Sequence, residues 1–355
     1  MQLDKIHATV VTGFLGSGKT TLLSNLLKQA NGKRIAVIVN EFGEMDMDAE
    51  LLRGCPLDCD DEAETDRGDG IFELANGCIC CTVEEEFVPV MRKLIEERHR
   101  IDHILIETSG LALPKPLVQA FNWPEVREHC TVDSVIAVVD GPAVAAGRYA
   151  SDPERVERQR LADDSLDHDP TLRELLEDQL GAADLVIASK ADQLTDTDRE
   201  TITARIREHV PEAVKVLFVE NGEVDNELLM GLDAATEERI ESVETHHDRH
   251  HAEGEEHGHA HDHFDNCVIR LGTVDPDRLL EGIRSLIAEH AIYRVKGFAA
   301  SDKPMRQVIQ AVGERIAHYF DRPWEVDEPR ETRLVFIGRD LDRDRLQQAL
   351  QAAES

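Results

Sequence analysis

The sequence predicts an α/β fold: a mostly parallel sheet flanked by helices, followed by a small C-terminal α+β domain. Three observations predict it. Short β-branched apolar runs alternate with helical patterns through the first half of the chain. Gly13 to Thr20 reads GFLGSGKT, a glycine-rich loop set between a strand pattern and a helix pattern. A histidine-rich run of low complexity, Thr245 to Asp265, then separates this half from a last unit with its own order of strands and helices.

Ile6 to Thr12 (IHATVVT) is the first strand. Lys19 to Gln29 follows as a helix, with Leu22, Leu23, Leu26 and Leu27 at helical spacing. Arg34 to Val39, His103 to Ile106, Val132 to Val139, Asp184 to Ala188 and Val214 to Val219 are further strands, with helices between most of them. Glu41 to Asp69 breaks this rhythm. It holds twelve acidic residues without a sustained apolar period and reads as a mobile acidic loop. Eight of the 16 histidines lie in Thr245 to Asp265, a stretch too polar to bury a core. Beyond it come a strand (CVIRL), a helix (Pro276 to Glu289), a strand (IYRVKGFAA), an apolar stretch at Val308 to Val312, a strand (RLVFI) and a helix (Asp344 to Ala353). The expected division is 1–240, a nucleotide-binding domain; 241–265, a histidine-rich linker; and 266–355, a small α+β domain.

At 355 residues the chain is long enough for two domains. Its formal net charge is −33, which repels nucleic-acid backbone and anionic lipid and attracts cations. Neither a nucleic acid nor a membrane is an expected partner. The N-terminal segment lacks the basic start and apolar middle of a signal peptide, so the expected location is the cytoplasm. In that reducing compartment seven cysteines favour metal binding or thiol chemistry over disulfides.

GFLGSGKT is a GxxxxGK[ST] phosphate loop and makes the first domain a P-loop NTPase. Backbone amides from Gly13, Gly16, Ser17 and Gly18 can cradle phosphates, with Thr21 following in the first helical turn. Lys19 would reach the β and γ phosphates and Thr20 would ligate Mg²⁺. A second strand ends in Glu107-Thr108-Ser109-Gly110, similar to the DxxG switch of GTPases with Glu for Asp. Glu107 can hold Mg²⁺ or its water, and the Gly110 amide can sense the γ phosphate. Ser189-Lys190-Ala191-Asp192 follows a third strand and resembles the NKxD segment that reads guanine. Asp192 would accept from the base and the Lys190 stem would lie over the ring, while serine replaces the usual asparagine. A strand-ending lysine and a helix-capping aspartate would look the same in isolation. Register with the other two elements favours guanine.

Asn76 to Cys81 reads NGCICC. Cys78, Cys80 and Cys81 suit tetrahedral Zn²⁺, Co(II) or Cu(I). In an extended chain Cys78 and Cys80 point one way and Cys81 the other, so one ion would use two of the three unless the backbone turns. The set is incomplete, as a transfer site should be, and Glu41 and Glu44 are candidates to complete it. Cys55 and Cys59 offer a second, weaker site. Cys130 and Cys267 read as structural.

TGFLGSGKTTLL, VNEFGE, NGCICC, ETSGL and SKAD, in this order and followed by a histidine-rich linker, together resemble the CobW family of metallochaperone GTPases. Gly110 to Arg127, Val138 to Ala150, Arg294 to Ala300, Lys303 to Ile316 and Tyr319 to Trp324 resemble the family's cobalamin-biosynthesis member. The resemblance spans nearly the whole chain. It implies slow GTP hydrolysis with Lys19, Glu107 and Glu41 in catalytic roles, Mg²⁺ on Thr20 and Glu107, and a transferable divalent metal on CxCC. The first glutamate of NEFGE, Glu41, would respond to the γ phosphate or to the metal. The cobalamin member implies Co(II) delivered to a metal-acceptor protein, the cobaltochelatase. A zinc chaperone, a metal buffer without productive hydrolysis and a small-molecule kinase are the other readings, and a homodimer is left open.

Overall fold

The strands of the first half are apolar along nearly their whole length, as they must be when both faces of a parallel sheet are covered. In the computed structural model, residues 5–30, 32–39, 71–73, 87–162, 171–230, 264–325 and 328–354 are described. They fall into two compact units, 5–230 and 264–354.

The first unit holds β1 (Ile6–Thr12), β2 (Ile35–Val39), β3 (Ile71–Glu73), β4 (His103–Glu107), β5 (Cys130–Asp140), β6 (Leu185–Ser189) and β7 (Lys215–Val219). They form one sheet in the order β3-β2-β4-β1-β5-β6-β7, with every pairing parallel. The helices are α1 (Lys19–Lys28), α2 (Val88–Glu96), α3 (Pro114–Ala120), α4 (Pro124–Arg127), α5 (Gly141–Ala145), α6 (Pro153–Ala162), α7 (Leu172–Gly181), α8 (Asp196–Arg207) and α9 (Asn226–Met230). β1 lies between β4 and β5, so chain order reverses there. A parallel sheet opens a crevice at the carboxyl ends of its strands at such a point.

Two apolar clusters pack helices against the sheet. Phe87, Met91, Leu94, Leu117 and Phe121 pack with Val10, Ile38, Ile104 and Ile106. Val144, Leu180, Ile202 and Ile206 pack with Ala137, Val139, Val186 and Ala188. Helix starts follow from capping chemistry. Thr171 and Thr195 each form a reciprocal capping box, with Glu174 and Asp198. Pro114, Pro124, Pro142 and Pro153 sit in first turns, where a missing amide hydrogen costs nothing.

The second unit is an antiparallel sheet in the order β11-β10-β9-β12-β8, with β8 (Asp265–Leu271), β9 (Ile292–Ala299), β10 (Met305–Val312), β11 (Arg315–Pro323) and β12 (Thr332–Gly338). Helices α10 (Pro276–Glu289) and α11 (Arg343–Gln351) bury Leu279, Ile283, Leu286, Leu346 and Leu350. The apolar stretch at Val308 to Val312 is the end of β10. It turns through Gly313 at φ +56° into β11, an edge strand whose apolar and polar residues do not alternate strictly. Arg306 and Asp321 form a buried ion pair across this hairpin, and the Arg306 guanidinium lies 3.7 Å from the Phe298 ring centre.

Candidate functional site

Gly13 to Thr20 joins β1 to α1 and needs its glycines. Gly13 has φ +141°, and a Cβ there would sit 2.1 Å from the Val138 carbonyl oxygen. Gly18, at φ +101°, is the N-cap of α1, and no side chain caps that end. The first amides of α1 are thereby left for an anion. Lys19 is buried and donates from Nζ to the Gly13 carbonyl at 2.7 Å and the Phe14 carbonyl at 3.2 Å. Its ammonium rests on the loop it would serve. Gly16 and Thr21 are exposed, and the Ser17 hydroxyl is buried.

β4 brings Glu107 to this loop. Glu107 stands opposite Val11 in register and is 8% exposed. The Thr20 hydroxyl donates to its Oε1 at 3.5 Å. A hydroxyl and a carboxylate side by side are hard oxygen donors and fit Mg²⁺. Gly110 lies against the phosphate loop: a Cβ on it would come 2.8 Å from the Leu15 amide nitrogen. Gln179 of α7, fully buried, donates from Nε2 to the Gly110 carbonyl at 3.0 Å and the Ala112 carbonyl at 3.2 Å. It fastens the switch-like segment from the far side.

β5 and β6 bring the third element. Asp140 and Ser189 are register partners at the two strand ends. Lys190 is left-handed, at φ 58° and ψ 40°, and begins a single 3₁₀ turn, Ala191–Gln193. Its Nζ donates to Asp140, to the Gly16 carbonyl at 3.2 Å and to Ser151 Oγ at 3.1 Å. The Ser189 hydroxyl donates to the Val139 carbonyl at 3.2 Å, and Asp192 is exposed. Burial works against the Asp140 carboxylate. The donors from Lys190, Ser151 and the Ala143 amide outweigh it and hold the carboxyl below its usual range.

The structure therefore brings Gly13–Thr20, Glu107, Gly110 and Lys190 to the carboxyl ends of β1, β4 and β6. Glu41, Glu44, Cys55, Cys59, Cys78, Cys80, Cys81 and the eight linker histidines lie outside the described residues. Among the described residues no group of three His, Cys, Asp or Glu side chains could hold a metal ion. β3 pairs with β2 at the edge of the sheet and ends at Glu73, three residues before Asn76. Asp140 and Gln179 were not legible as site residues. A strand-ending Asp before Gly-Pro announces only a helix cap, and a helical Gln announces nothing.

Cys130 and Cys267 are free and buried. Burial pushes the Cys130 thiol up to about 12 and raises that of Cys267 as well. The nucleophile is the thiolate, so both should resist iodoacetamide at neutral pH until the chain unfolds. Peptide mapping of the alkylated native and denatured protein checks this. Modification of Cys130 in the native protein would contradict the burial.

Comparison with known proteins agrees with this architecture. The CobW/HypB/UreG nucleotide-binding domain matches residues 7–217, and the cobalamin synthesis protein cobW C-terminal domain matches residues 265–354. The chain is 53% identical over 352 residues to a protein named zinc chaperone CobW from Pseudomonas aeruginosa PAO1, covering 99% of this chain and 92% of that one. It is 48% identical to a Sinorhizobium protein of the same name, covering 98% and 97%. It is 30% identical to the zinc chaperone YjiA of Escherichia coli K12, covering 98% of each. A phosphate loop on a parallel sheet, the two matching domain models and these relatives of near-complete coverage give one conclusion: the chain belongs to the CobW/HypB/UreG family.

Proposed function

We propose that this chain is a GTP-hydrolysing metallochaperone that carries one divalent ion at Cys78 and Cys80 and hands it to an acceptor protein. One observation carries the reading. Three segments that read as nucleotide elements meet at the carboxyl ends of β1, β4 and β6, in a chain that also holds CxCC. Lys19 meets the β and γ phosphates in place of the loop carbonyls, Gly110 donates its amide to the γ phosphate, and Asp192 reads the base. Thr20 and Glu107 hold Mg²⁺, which when bound offsets phosphate charge. Glu41 responds to the γ phosphate, and Glu41 and Glu44 complete the metal site with the thiolates. After hydrolysis that response is lost and the ion leaves. A swing from almost fully bound to almost fully released needs roughly 5.5 kcal/mol between the two nucleotide states.

Zn²⁺ is the favoured cargo. The relatives with near-complete coverage are named zinc chaperones, and thiolate sites bind Zn²⁺ above Co(II) in the usual divalent order. Co(II) delivery to a cobaltochelatase is the second reading. It is supported by the stretches that resemble the cobalamin-biosynthesis member, Gly110 to Arg127 and Tyr319 to Trp324 among them. The net charge of −33 supports a cation as cargo and opposes nucleic acid as partner. Among the described residues no helix is long and apolar enough to cross a membrane.

The test is a turnover assay on the full chain with Mg²⁺ and either GTP or ATP, run with and without candidate small-molecule acceptors. GTP hydrolysis with ATP inert is the expected result. Equal turnover of ATP and GTP would reject the guanine reading, and a phosphorylated small molecule would show a kinase instead.

A further inference from the structure

Asp140 ends β5, is 3% exposed and stands opposite Ser189. Its Oδ1 accepts the Ala143 amide at 2.8 Å and so caps α5. That bond does not require a charge, since Asn or Ser caps a helix about as well as Asp. A buried carboxylate is costly unless it is paired, so its charge needs a separate reason. The partner is Lys190, whose Nζ donates to Asp140 Oδ2, with Ser151 donating to the same oxygen.

Lys190 uses this pairing in a specific way. An ammonium has three protons, and here they go to Asp140, Ser151 Oγ and the Gly16 carbonyl. The last is a bond from the base-recognition segment to the phosphate loop. The backbone of Lys190 is left-handed, a conformation that residues with a Cβ adopt at a cost. Ser189 makes no such tie with its hydroxyl, which donates to Val139 within the sheet. It merely packs on the loop: a Cβ on Gly18 would lie 3.4 Å from the Ser189 Cβ.

We propose that Asp140 is a positioning residue for nucleotide recognition, which anchors the Lys190 ammonium so that the base segment and the phosphate loop are held in one fixed relation. The inference rests on the reading of Ser189–Asp192 as the guanine segment. Asp140 touches no reacting atom. It acts through Lys190 on binding that is the same in ground state and transition state, so it sets KM and leaves kcat nearly unchanged. GDP and GTP lose affinity by the same factor when it is removed.

The experiment is a double-mutant cycle on the full chain, with kcat and KM for GTP measured alongside thermal melting. Asp140→Asn keeps the cap and removes the charge. It should raise KM for GTP by about tenfold or more with kcat within about twofold. In a Lys190→Ala background the same change should add less than about twofold, because the group it acts through is gone. Asp140→Ser, which also keeps the cap, serves where the asparagine variant melts early. An unchanged KM in a folded Asp140 variant overturns the proposal. So does an equal rise in KM with and without Lys190. If the wild type shows equal KM for ATP and GTP, the guanine reading fails separately, and the same cycle on ATP decides the role of Asp140.

Discussion

Lys19→Ala is expected to reduce GTP turnover to background and to abolish any dependence of metal binding on nucleotide. The Lys19 ammonium is the one charge that the phosphate loop itself supplies, and it is buried against the loop carbonyls of Gly13 and Phe14. A unit charge about 4 Å from a phosphate oxygen is worth about 4 kcal/mol at an effective dielectric near 20. That corresponds to about a thousandfold in kcat/KM. The fold should survive, because the path of the loop is set by Gly13, Gly16 and Gly18. Turnover and thermal melting of the variant check both halves. Unchanged turnover in a folded variant would remove the phosphate-loop assignment.

Much of the nucleotide-binding unit was legible because burial on both faces leaves continuous apolar runs. Ile6–Thr12 is found as read, and β6 and β7 are displaced by a residue at most at each end. β5 is longer than its apolar centre. Cys130 and Thr131 pair with β1 beyond the run Val132 to Val139, and Asp140 pairs with Ser189. Helix α2 buries Met91 and Leu94, a short signal directly after the cysteine motif. β11 went unread because Ile316, Ala317, Tyr319 and Phe320 are mixed with Arg315, His318, Asp321 and Arg322 without strict alternation, and its place at the sheet edge permits that.

The site divides in the same way. Gly13–Thr20 and Glu107–Gly110 carry local patterns whose context, strand before and helix or loop after, could be read directly. Lys190 was legible as a motif, but its three acceptors come from Gly16, Asp140 and Ser151, far along the chain. Gln179 meets Gly110 across 69 residues of sequence. Such partners depend on tertiary proximity, and no local spacing encodes it.

The remaining large effect belongs to the thiols. Cys80→Ser should cost most in metal affinity and Cys78→Ser nearly as much; Cys81→Ser should cost less if the motif binds as an extended chain, whose alternate residues share a side. A tetrahedral zinc site binds with roughly 10–16 kcal/mol, so loss of one thiolate should weaken it on the order of a hundredfold or more. Co(II) in the same site should show thiolate charge-transfer bands and the strong visible bands of tetrahedral geometry. Both results would place the ion at CxCC, and neither would show that nucleotide controls it.

Control by nucleotide is the central claim, and a competition titration with a chromogenic chelator measures it. Zn²⁺ affinity is determined on the full chain with Mg²⁺ and either a non-hydrolysable GTP analogue or GDP, and repeated with Co(II). The account predicts one tight site with the GTP analogue and a site weaker by as much as about 10⁴-fold with GDP. Linkage requires the metal to strengthen binding of the GTP analogue, relative to GDP, by the same factor. Equal metal affinity in the two nucleotide states would contradict it, leaving a metal-binding GTPase whose two sites do not communicate.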